Sequence, residues 1–137
     1  MKRMIAVAIA GLLAAPAFAA GDADKGENSF KKCKSCHMIV SDDGETIMKG
    51  GKTGPNLYGL PGRTAGSADF RYGNDIVAAG EAGLVWDEAS FTGYVADPRA
   101  YLSEYLGTKA KSKMSYRLKK ASEAADVWAY LESVSAN

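Results

Sequence analysis

The sequence predicts an all-α domain in which short helices are joined by glycine-rich loops. Three observations support this class. No stretch shows the convincing alternation of apolar and polar residues that a half-buried strand requires. Several segments carry acidic caps and prolines at positions that mark helix boundaries. Residues 38–71 hold seven glycines as well as Pro55 and Pro61, a composition typical of loops.

The N-terminus is typical of a secretory signal peptide. Two basic residues begin an apolar run that ends at Ala15, and the small-residue pattern Ala17-Phe18-Ala19 follows. The run is too short, and Pro16 too close to it, for a transmembrane span. We expect a cleaved signal peptide over residues 1–19 and a single domain over residues 20–137. An uncleaved membrane anchor is the alternative interpretation.

Five helical segments are expected in the mature chain. Asp22 or Asp24 can cap the first of them. A proline ends the third segment and suits the start of the fourth, because its fixed φ angle fits the first turn of a helix. The segments are Asp24–His37, Asp75–Ala79, Asp87–Ala96, Pro98–Leu106 and a last helix capped by Ser122.

The last helix is expected to pack one face against the core. Glu123 and Asp126 lie in its first turn, where acidic side chains are favoured by the helix dipole. Apolar residues then recur three and four positions apart, which is the spacing of a buried helical stripe. The stripe consists of Val127, Tyr130, Leu131 and Val134.

The segment Cys33-Lys34-Ser35-Cys36-His37 reads C-x-x-C-H, the attachment signature of a c-type haem. Residues three and four apart share a helix face, so both thiols can reach the edge of one porphyrin and form thioethers with its vinyl groups. His37 follows directly and can turn its imidazole onto the iron. Haem attachment of this kind occurs outside the cytoplasm, in agreement with the signal peptide. We therefore expect a periplasmic protein with one covalent haem, which would also supply core that the glycine-rich chain lacks.

Three other interpretations of this motif compete with haem attachment. A thioredoxin-like redox pair is disfavoured because no βαβ pattern surrounds the cysteines. A structural zinc site needs four ligands, and the chain has only two cysteines and one histidine. A chance match is the third interpretation, and the export signal argues against it.

The sixth iron ligand must come from elsewhere in the chain. His37 is the only histidine, so bis-histidine ligation within one monomer is excluded. Methionine is the usual alternative in carrier cytochromes. Met38 is too close to His37 to reach the opposite haem face. Met114 is favoured because it is distant and lies in a polar, lysine-rich segment, while Met48 or an open site remains possible.

Charge excludes a nucleic-acid binder but suggests a docking surface. Removal of Lys2 and Arg3 lowers the 17 basic residues to 15, against 16 acidic ones, so the mature protein part carries a net charge of −1. The lysines are unevenly spread, which is either an ordinary solvated surface or a positive face around the haem edge. The two clusters of interest are Lys31, Lys32 and Lys34 beside the motif, and Lys109, Lys111 and Lys113 before the methionine.

The mature chain resembles the class I cytochromes c, and within them the bacterial cytochrome c2 group. The resemblance covers essentially the whole mature chain. It differs from the small mitochondrial pattern by longer segments at residues 38–52 and 100–113, which larger members of the group also carry. The shared features are Gly26, Phe30, the C-x-x-C-H motif, Thr53–Gly59, Gly62-Arg63, Phe70–Tyr72, Trp86, Tyr94, Asp97-Pro98, Lys113-Met114 and Ala129–Leu131.

The resemblance implies a role for each matching residue. Pro55 would accept a hydrogen bond from the second ring nitrogen of His37. Tyr94 would direct its hydroxyl toward the Met114 sulfur. The inner haem propionate would be surrounded by Arg63, Tyr72 and Trp86. Gly26 and Phe30 would pack against Tyr130 where the terminal helices cross, and Tyr116 would lie near the exposed haem edge.

The expected function is one-electron transport rather than catalysis. The resemblance implies a monomeric carrier that takes electrons from a membrane cytochrome bc complex and delivers them to a photosynthetic reaction centre or an oxidase. The lysine clusters would guide it to acidic partner surfaces. A haem peroxidase or gas sensor would need an open sixth position, and a thiol oxidoreductase would keep free or paired cysteines.

Overall fold

The computed structural model describes residues 21–135, so the predicted signal peptide at residues 1–19 lies outside the described residues. Helix α1 covers Ala23–Ser29 and continues as a 3-10 turn over Phe30–Lys32. Two short strands follow, β1 at Ile39–Val40 and β2 at Thr46–Met48. The remaining helices are α2 at Asn74–Glu81, α3 at Glu88–Ala96, α4 at Pro98–Leu106 and α5 at Ala121–Ser135. No helix within the described range is both long and apolar enough to cross a bilayer.

The predicted first helix is correct at its start and wrong at its end. Asp22 caps α1, its carboxylate accepting hydrogen bonds from the backbone N–H groups of Asp24 and Lys25. The α-helix stops at Ser29 instead of continuing to His37, because the carbonyl of Phe30 accepts from Cys33 N at 2.8 Å and tightens the chain into a 3-10 turn. Residues three apart are eclipsed in such a turn, which aligns side chains spaced as the two cysteines are.

Helices α3 and α4 match the predicted segments closely. Asp87 caps α3 through a capping box with Ser90. Asp97 caps α4, and Pro98 occupies its first turn as predicted. Helix α2 extends past its predicted bounds to Asn74–Glu81.

The predicted cap of α5 is wrong. The helix begins at Ala121, because the carbonyl of Lys120 already accepts from the N–H groups of Glu123 and Ala124. Ser122 therefore lies inside the first turn. The buried stripe is correct for Val127, Tyr130 and Leu131, while Val134 is only half-buried. A further core aromatic, Trp128, lies beside this stripe and packs on Phe91 of α3 with ring centroids 5.4 Å apart.

A small antiparallel hairpin is the exception to the predicted all-α class. Ile39 pairs with Met48 and Val40 with Thr46, with a bulge between the two pairs. The side chain of Asn56 bonds both backbone groups of Val40, at 3.0 and 2.8 Å. Strands of two and three residues are too short to show an alternating pattern in the sequence, and a side chain from a later loop completes their bonding.

The first and last helices cross at a point where only glycine fits. A Cβ atom on Gly26 would lie 1.9 Å from the Asp126 carbonyl oxygen and 2.8 Å from Tyr130 Cβ. Beside this crossing, the rings of Phe30 and Tyr130 meet edge to face at 5.9 Å. The backbone N–H of Asp22 donates to the carboxylate of Asp126 at 2.8 Å. The crossing brings the C-x-x-C-H segment, which directly follows α1, against the core.

Gly26→Ala is expected to destabilise the protein strongly, because the clash is with backbone that no side-chain rotation relieves. Overpacking of this kind costs about 1–3 kcal/mol, occasionally more. Urea unfolding followed by circular dichroism measures the loss. Lys25→Ala on the exposed face of α1 is the control and should stay close to wild type. A Gly26→Ala protein as stable as wild type would contradict this account of the crossing.

Candidate haem site

A cavity of about 270 Å³ lies between the C-x-x-C-H segment, the glycine-rich loop, helices α2 and α3, and the segment before α5. Most of its remaining wall is apolar, with Leu57, Phe91, Val95 and Leu102 among the lining residues. Every residue that the sequence predicts for the site lines this one cavity: Cys33, Cys36, His37, Pro55, Arg63, Tyr72, Trp86, Tyr94 and Met114.

The ring of His37 is fixed from one side by backbone. Its Nδ1 lies 2.8 Å from the Pro55 carbonyl oxygen, to which it donates as Nδ1–H. Burial lowers the pKa of His37, and the bond to Pro55 only partly opposes that shift. The imidazole is thus neutral at pH 7, with Nε2 left as the basic nitrogen that a metal requires.

The loop packs closely enough to hold this ring only because glycine occurs at the contact. A Cβ atom on Gly54 would lie 2.4 Å from Cε1 of His37. The N–H of Gly54 donates to the Cys36 carbonyl at 2.8 Å, and the N–H of Gly51 donates to Lys34 O at 2.9 Å. Sequence reasoning noted the glycines as loop formers but missed this contact, since it depends on a tertiary approach.

Cys33 and Cys36 form no disulfide bond. Cys33 is half-buried, and burial raises its pKa to about 11, while Cys36 is exposed. A thiol with a raised pKa carries little thiolate at neutral pH. Within residues 21–135, no group of three or more cysteine, histidine or acidic side chains could hold a metal ion.

A segment over residues 107–120, here called the strap, contributes the thioether. Met114 lies in the strap and lines the cavity. Met48 instead lies in β2 and packs against the core without lining the cavity, so among residues 21–135 the methionine that lines the cavity together with His37 is Met114. Tyr116, also in the strap, lines the cavity and is 43% exposed.

Three ties hold the strap against the cavity wall. The N–H of Lys111 donates to the Asp75 carboxylate at 2.6 Å. The ammonium of Lys113 donates to the Arg71 carbonyl at 3.0 Å. The N–H of Leu118 donates to the Val95 carbonyl at 2.7 Å. Asp75 has no signal in the sequence that links it to the strap, because the two lie 36 residues apart.

Tyr94 meets the strap through Ser112. Burial raises the pKa of the Tyr94 hydroxyl, and a hydrogen bond with Ser112 partly opposes that shift. The Ser112 hydroxyl in turn donates to the backbone carbonyl of Met114 at 2.9 Å. Ser112, which the sequence analysis did not name, thus links Tyr94 to the backbone of Met114, while the approach of Tyr94 to the methionine sulfur stays a prediction.

Arg63 is a half-buried cation at the cavity wall. Its guanidinium donates to the carbonyls of Asn56 and Tyr58, and it bonds the hydroxyl of Tyr72. Burial lowers the pKa of Arg63, and no carboxylate within residues 21–135 forms a salt bridge with it. Trp86 lies beside Arg63, because its backbone N–H donates to the Arg63 carbonyl at 2.9 Å. The wall thus offers donors and positive charge to an anionic group of a bound ligand.

These features fit a covalent haem. The two thiols, the oriented imidazole and the thioether supply the donor set of a c-type haem with histidine and methionine ligation. The apolar wall suits a porphyrin ring, and Arg63 with Tyr72 suits a propionate.

Several known proteins are similar to this chain in sequence or in structure. No protein-family model matches it. It is 63% identical over 137 residues to a cytochrome c-551 of Roseobacter denitrificans, covering 98% of this chain and 97% of the relative. It is 52% identical over 132 residues to a cytochrome c2 of Cereibacter sphaeroides, covering 93% and 91%. The crystal structure of cytochrome c2 from Rhodobacter sphaeroides superposes with a TM-score of 0.82 at 50% identity, over 85% of this chain and 98% of that one.

Asp75→Ala is expected to loosen the strap at Lys111. A hydrogen bond to a charged group contributes about 1.5–3 kcal/mol, and the exposed setting favours the lower end, so amide exchange at Lys111 should rise by about tenfold. Native-state hydrogen exchange by NMR measures this rate. Asp75→Asn should lie between, because its amide oxygen can still accept without the charge.

Glu81→Gln at the other end of α2 is the matched control for loss of one carboxylate. It should leave exchange at Lys111 unchanged. Equal exchange rates in Asp75→Ala and wild type would show that Asp75 does not anchor the strap.

Proposed function

The chain belongs to the cytochrome c2 group of bacterial class I cytochromes c, which are periplasmic one-electron carriers with one covalent haem c, and we propose that this haem is held by Cys33, Cys36, His37 and Met114. The predicted family, fold class, cofactor and non-enzymatic function are confirmed. The observation that supports the assignment of residues is the convergence of two thiols, one imidazole and one thioether on a single cavity.

Different residues would bind different parts of the cofactor. Cys33 and Cys36 would bond its vinyl groups, and His37 would bind through Nε2 because Nδ1 is committed to Pro55. Met114 would supply a second ligand to the haem, held in place by the strap. When bound, the haem would supply one-electron chemistry. In ordinary transport the protein would carry an electron without making or breaking a bond.

The polar side of the pocket would hold an inner propionate. Arg63 and Tyr72 bond each other, which fixes the orientation of both side chains at the cavity wall. Trp86 is 5% exposed and lies beside Tyr94 with ring centroids 4.9 Å apart. We propose that these three residues surround the carboxylate, supplying the hydrogen bonds that a buried anion requires, and that Tyr94 and Pro55 complete the haem environment.

Intact mass of protein made with a cytochrome c maturation system tests the central assignment. We propose that residues 1–19 are removed on export, so the mass should correspond to residues 20–137 plus one haem. Cys36→Ser should lose one thioether and keep the haem attached through Cys33, while replacement of both cysteines with serine should leave any bound haem extractable by acid and organic solvent. A mass equal to the bare polypeptide would refute covalent attachment.

Met114→Ala should abolish the weak near-infrared sulfur-to-iron band of the ferric protein and lower its reduction potential, because a thioether ligand favours the ferrous state. Near-infrared absorption and redox titration give the two readouts. Met48→Ala is the matched control, since it removes a thioether that lies in β2. Loss of the band in Met48→Ala and its retention in Met114→Ala would reverse the assignment.

The protein carries electrons between membrane complexes. We propose that it docks as a monomer through Lys31, Lys32, Lys34, Lys109, Lys111 and Lys113, taking electrons from a cytochrome bc complex and passing them to a reaction centre or an oxidase. Support comes from the cavity rim, where Lys32 lies beside the motif and Lys111 and Lys113 lie in the strap. Lys32 also pairs with Glu123, which offsets its charge. The exposed lysines of the strap should therefore contribute most to docking.

Lys34→Glu and Lys111→Glu should each slow the bimolecular reaction with an acidic partner complex and flatten its dependence on salt. Exposed charges act over about 8–10 Å at physiological ionic strength, so they raise the encounter rate more than the strength of a formed complex. Flash photolysis with a reaction centre separates the second-order step from the first-order step, which should change little.

Lys25→Glu and Lys49→Glu are the controls, because both lysines are exposed and neither lines the cavity. Equal slowing by these changes would mean that overall charge sets the rate, and the proposed docking surface would be wrong.

A further inference from the structure

Four aromatic rings form a series of neighbouring pairs that extends from the cavity to the protein surface. Trp86 and Tyr94 have ring centroids 4.9 Å apart. Tyr94 meets Tyr101 edge to face at 6.2 Å, with an interplanar angle of 89°. Tyr101 stacks on Tyr105 at 6.3 Å and 18°. Each ring thus touches the next, and no other side chain is needed to complete the series.

The two ends of the series lie in different environments. Trp86 and Tyr94 line the cavity and are 5% and 8% exposed. Tyr105 is 38% exposed, and its hydroxyl donates to the Ala82 carbonyl at 3.4 Å. The series therefore runs from the wall of the pocket to the surface where α2 meets α4.

The fold makes specific room for the middle ring. Tyr101 and Tyr105 are four residues apart on α4, so they share one face of that helix. Tyr101 reaches Tyr94 across α3 at Gly93, where a Cβ atom would lie 2.9 Å from Tyr101 Cε2. A side chain at position 93 would separate Tyr101 from Tyr94.

We propose that Trp86, Tyr94, Tyr101 and Tyr105 form an outlet that moves oxidising equivalents from the haem pocket to the protein surface at Tyr105. The proposal rests on the proposed function in one respect, that haem occupies the cavity. Tryptophan and tyrosine lose one electron only to a strong oxidant. The outlet therefore carries no oxidising equivalents during ordinary one-electron transport. It carries them when hydrogen peroxide reaches the pocket.

The chemistry balances with peroxide as the oxidant. Hydrogen peroxide accepts two electrons and two protons and becomes two water molecules. One electron comes from Tyr105 and passes inward through Tyr101, Tyr94 and Trp86, and the other is the electron that the reduced carrier already holds. The Tyr105 phenol releases its proton to solvent, and solvent supplies the two protons that peroxide takes up. The oxidised Tyr105 rings of two such molecules then join through a carbon–carbon bond as dityrosine, or each is captured by a radical trap.

Burial explains why the outlet ends at Tyr105. Desolvation raises the pKa of Tyr94 and of Tyr101, so loss of a phenolic proton is unfavourable at both. Tyr105 is exposed to water that can take the proton. Drawing the oxidising equivalent outward would spare Met114, whose thioether is otherwise open to conversion to the sulfoxide.

The test treats the mature haem protein with hydrogen peroxide and a nitroso radical trap, and maps adducts and methionine sulfoxide by mass spectrometry. Wild type should carry the trap on Tyr105. Tyr101→Phe keeps the packed ring but removes its ready oxidation, so adduct at Tyr105 should be largely lost and sulfoxide at Met114 should rise. Tyr130→Phe, which removes a tyrosine hydroxyl at the α1–α5 crossing, is the matched control and should resemble wild type.

A second series repeats the experiment in Met114→Ala, where an axial position is expected to be open to peroxide. An equal amount of adduct at Tyr105 in proteins with tyrosine and with phenylalanine at position 101 would overturn the outlet. Adduct confined to Tyr116 would overturn it as well. Absence of adduct at Tyr105 in Met114→Ala, while peroxide is consumed, would overturn it as well. Unchanged peroxide consumption in Met114→Ala would instead count against the ligand assignment, and the comparison of Tyr101→Phe with wild type would still decide the outlet.

Discussion

The seating of His37 against backbone is the constraint on which the rest of this structure depends. The imidazole is held by one carbonyl, that of Pro55, and is approached by a loop that must lack a side chain at Gly54. This arrangement settles which nitrogen is free, in what direction it points and how far the loop lies from the motif. The thiols follow because they precede the histidine on the same tight turn, and the strap must then lie across the cavity from it.

The helices around such a site are short and pack mainly in pairs, α1 on α5 and α3 on both α4 and α5, while the glycine-rich loop and the strap enclose the cavity. The wall that results is mostly apolar, and its polar groups include Arg63, Tyr72 and side chains of the strap. Filling that space with a flat, largely apolar cofactor would complete the packing, since unfilled space forfeits the contacts that its lining would otherwise make.

Burial in the pocket disfavours the charged form of His37, Cys33 and Arg63 alike. Burial keeps His37 neutral and the Cys33 thiol protonated, and it leaves Arg63 as a cation without a carboxylate partner among the described residues. Charge is otherwise placed at the rim, where lysines are exposed and well solvated. A dry interior with a charged edge suits transfer of an electron over a short contact with a partner, because the redox centre stays shielded while the edge guides the encounter.

The sequence by itself determined the chemistry of the site and most of the helices. The C-x-x-C-H spacing, a single histidine and few methionines restrict the ligands by residue type and count. Asp87, Asp97 and Pro98 act through adjacent backbone, so α3 and α4 could be placed to within a residue. Such features need only local geometry, and local geometry is what a sequence pattern records.

Tertiary structure decided what depends on residues distant in sequence. The two-stranded hairpin forms where Asn56, 16 residues further along the chain, bonds Val40 of β1. The 3-10 turn after Ser29 and the start of α5 at Ala121 depend instead on local backbone bonds. The tie from Asp75 to Lys111, the serine between Tyr94 and Met114, and the aromatic series to Tyr105 each join elements that no local pattern relates. Their positions follow from how the chain closes around the cavity, and the physical reason is that packing and hydrogen bonding across elements are set only once those elements meet.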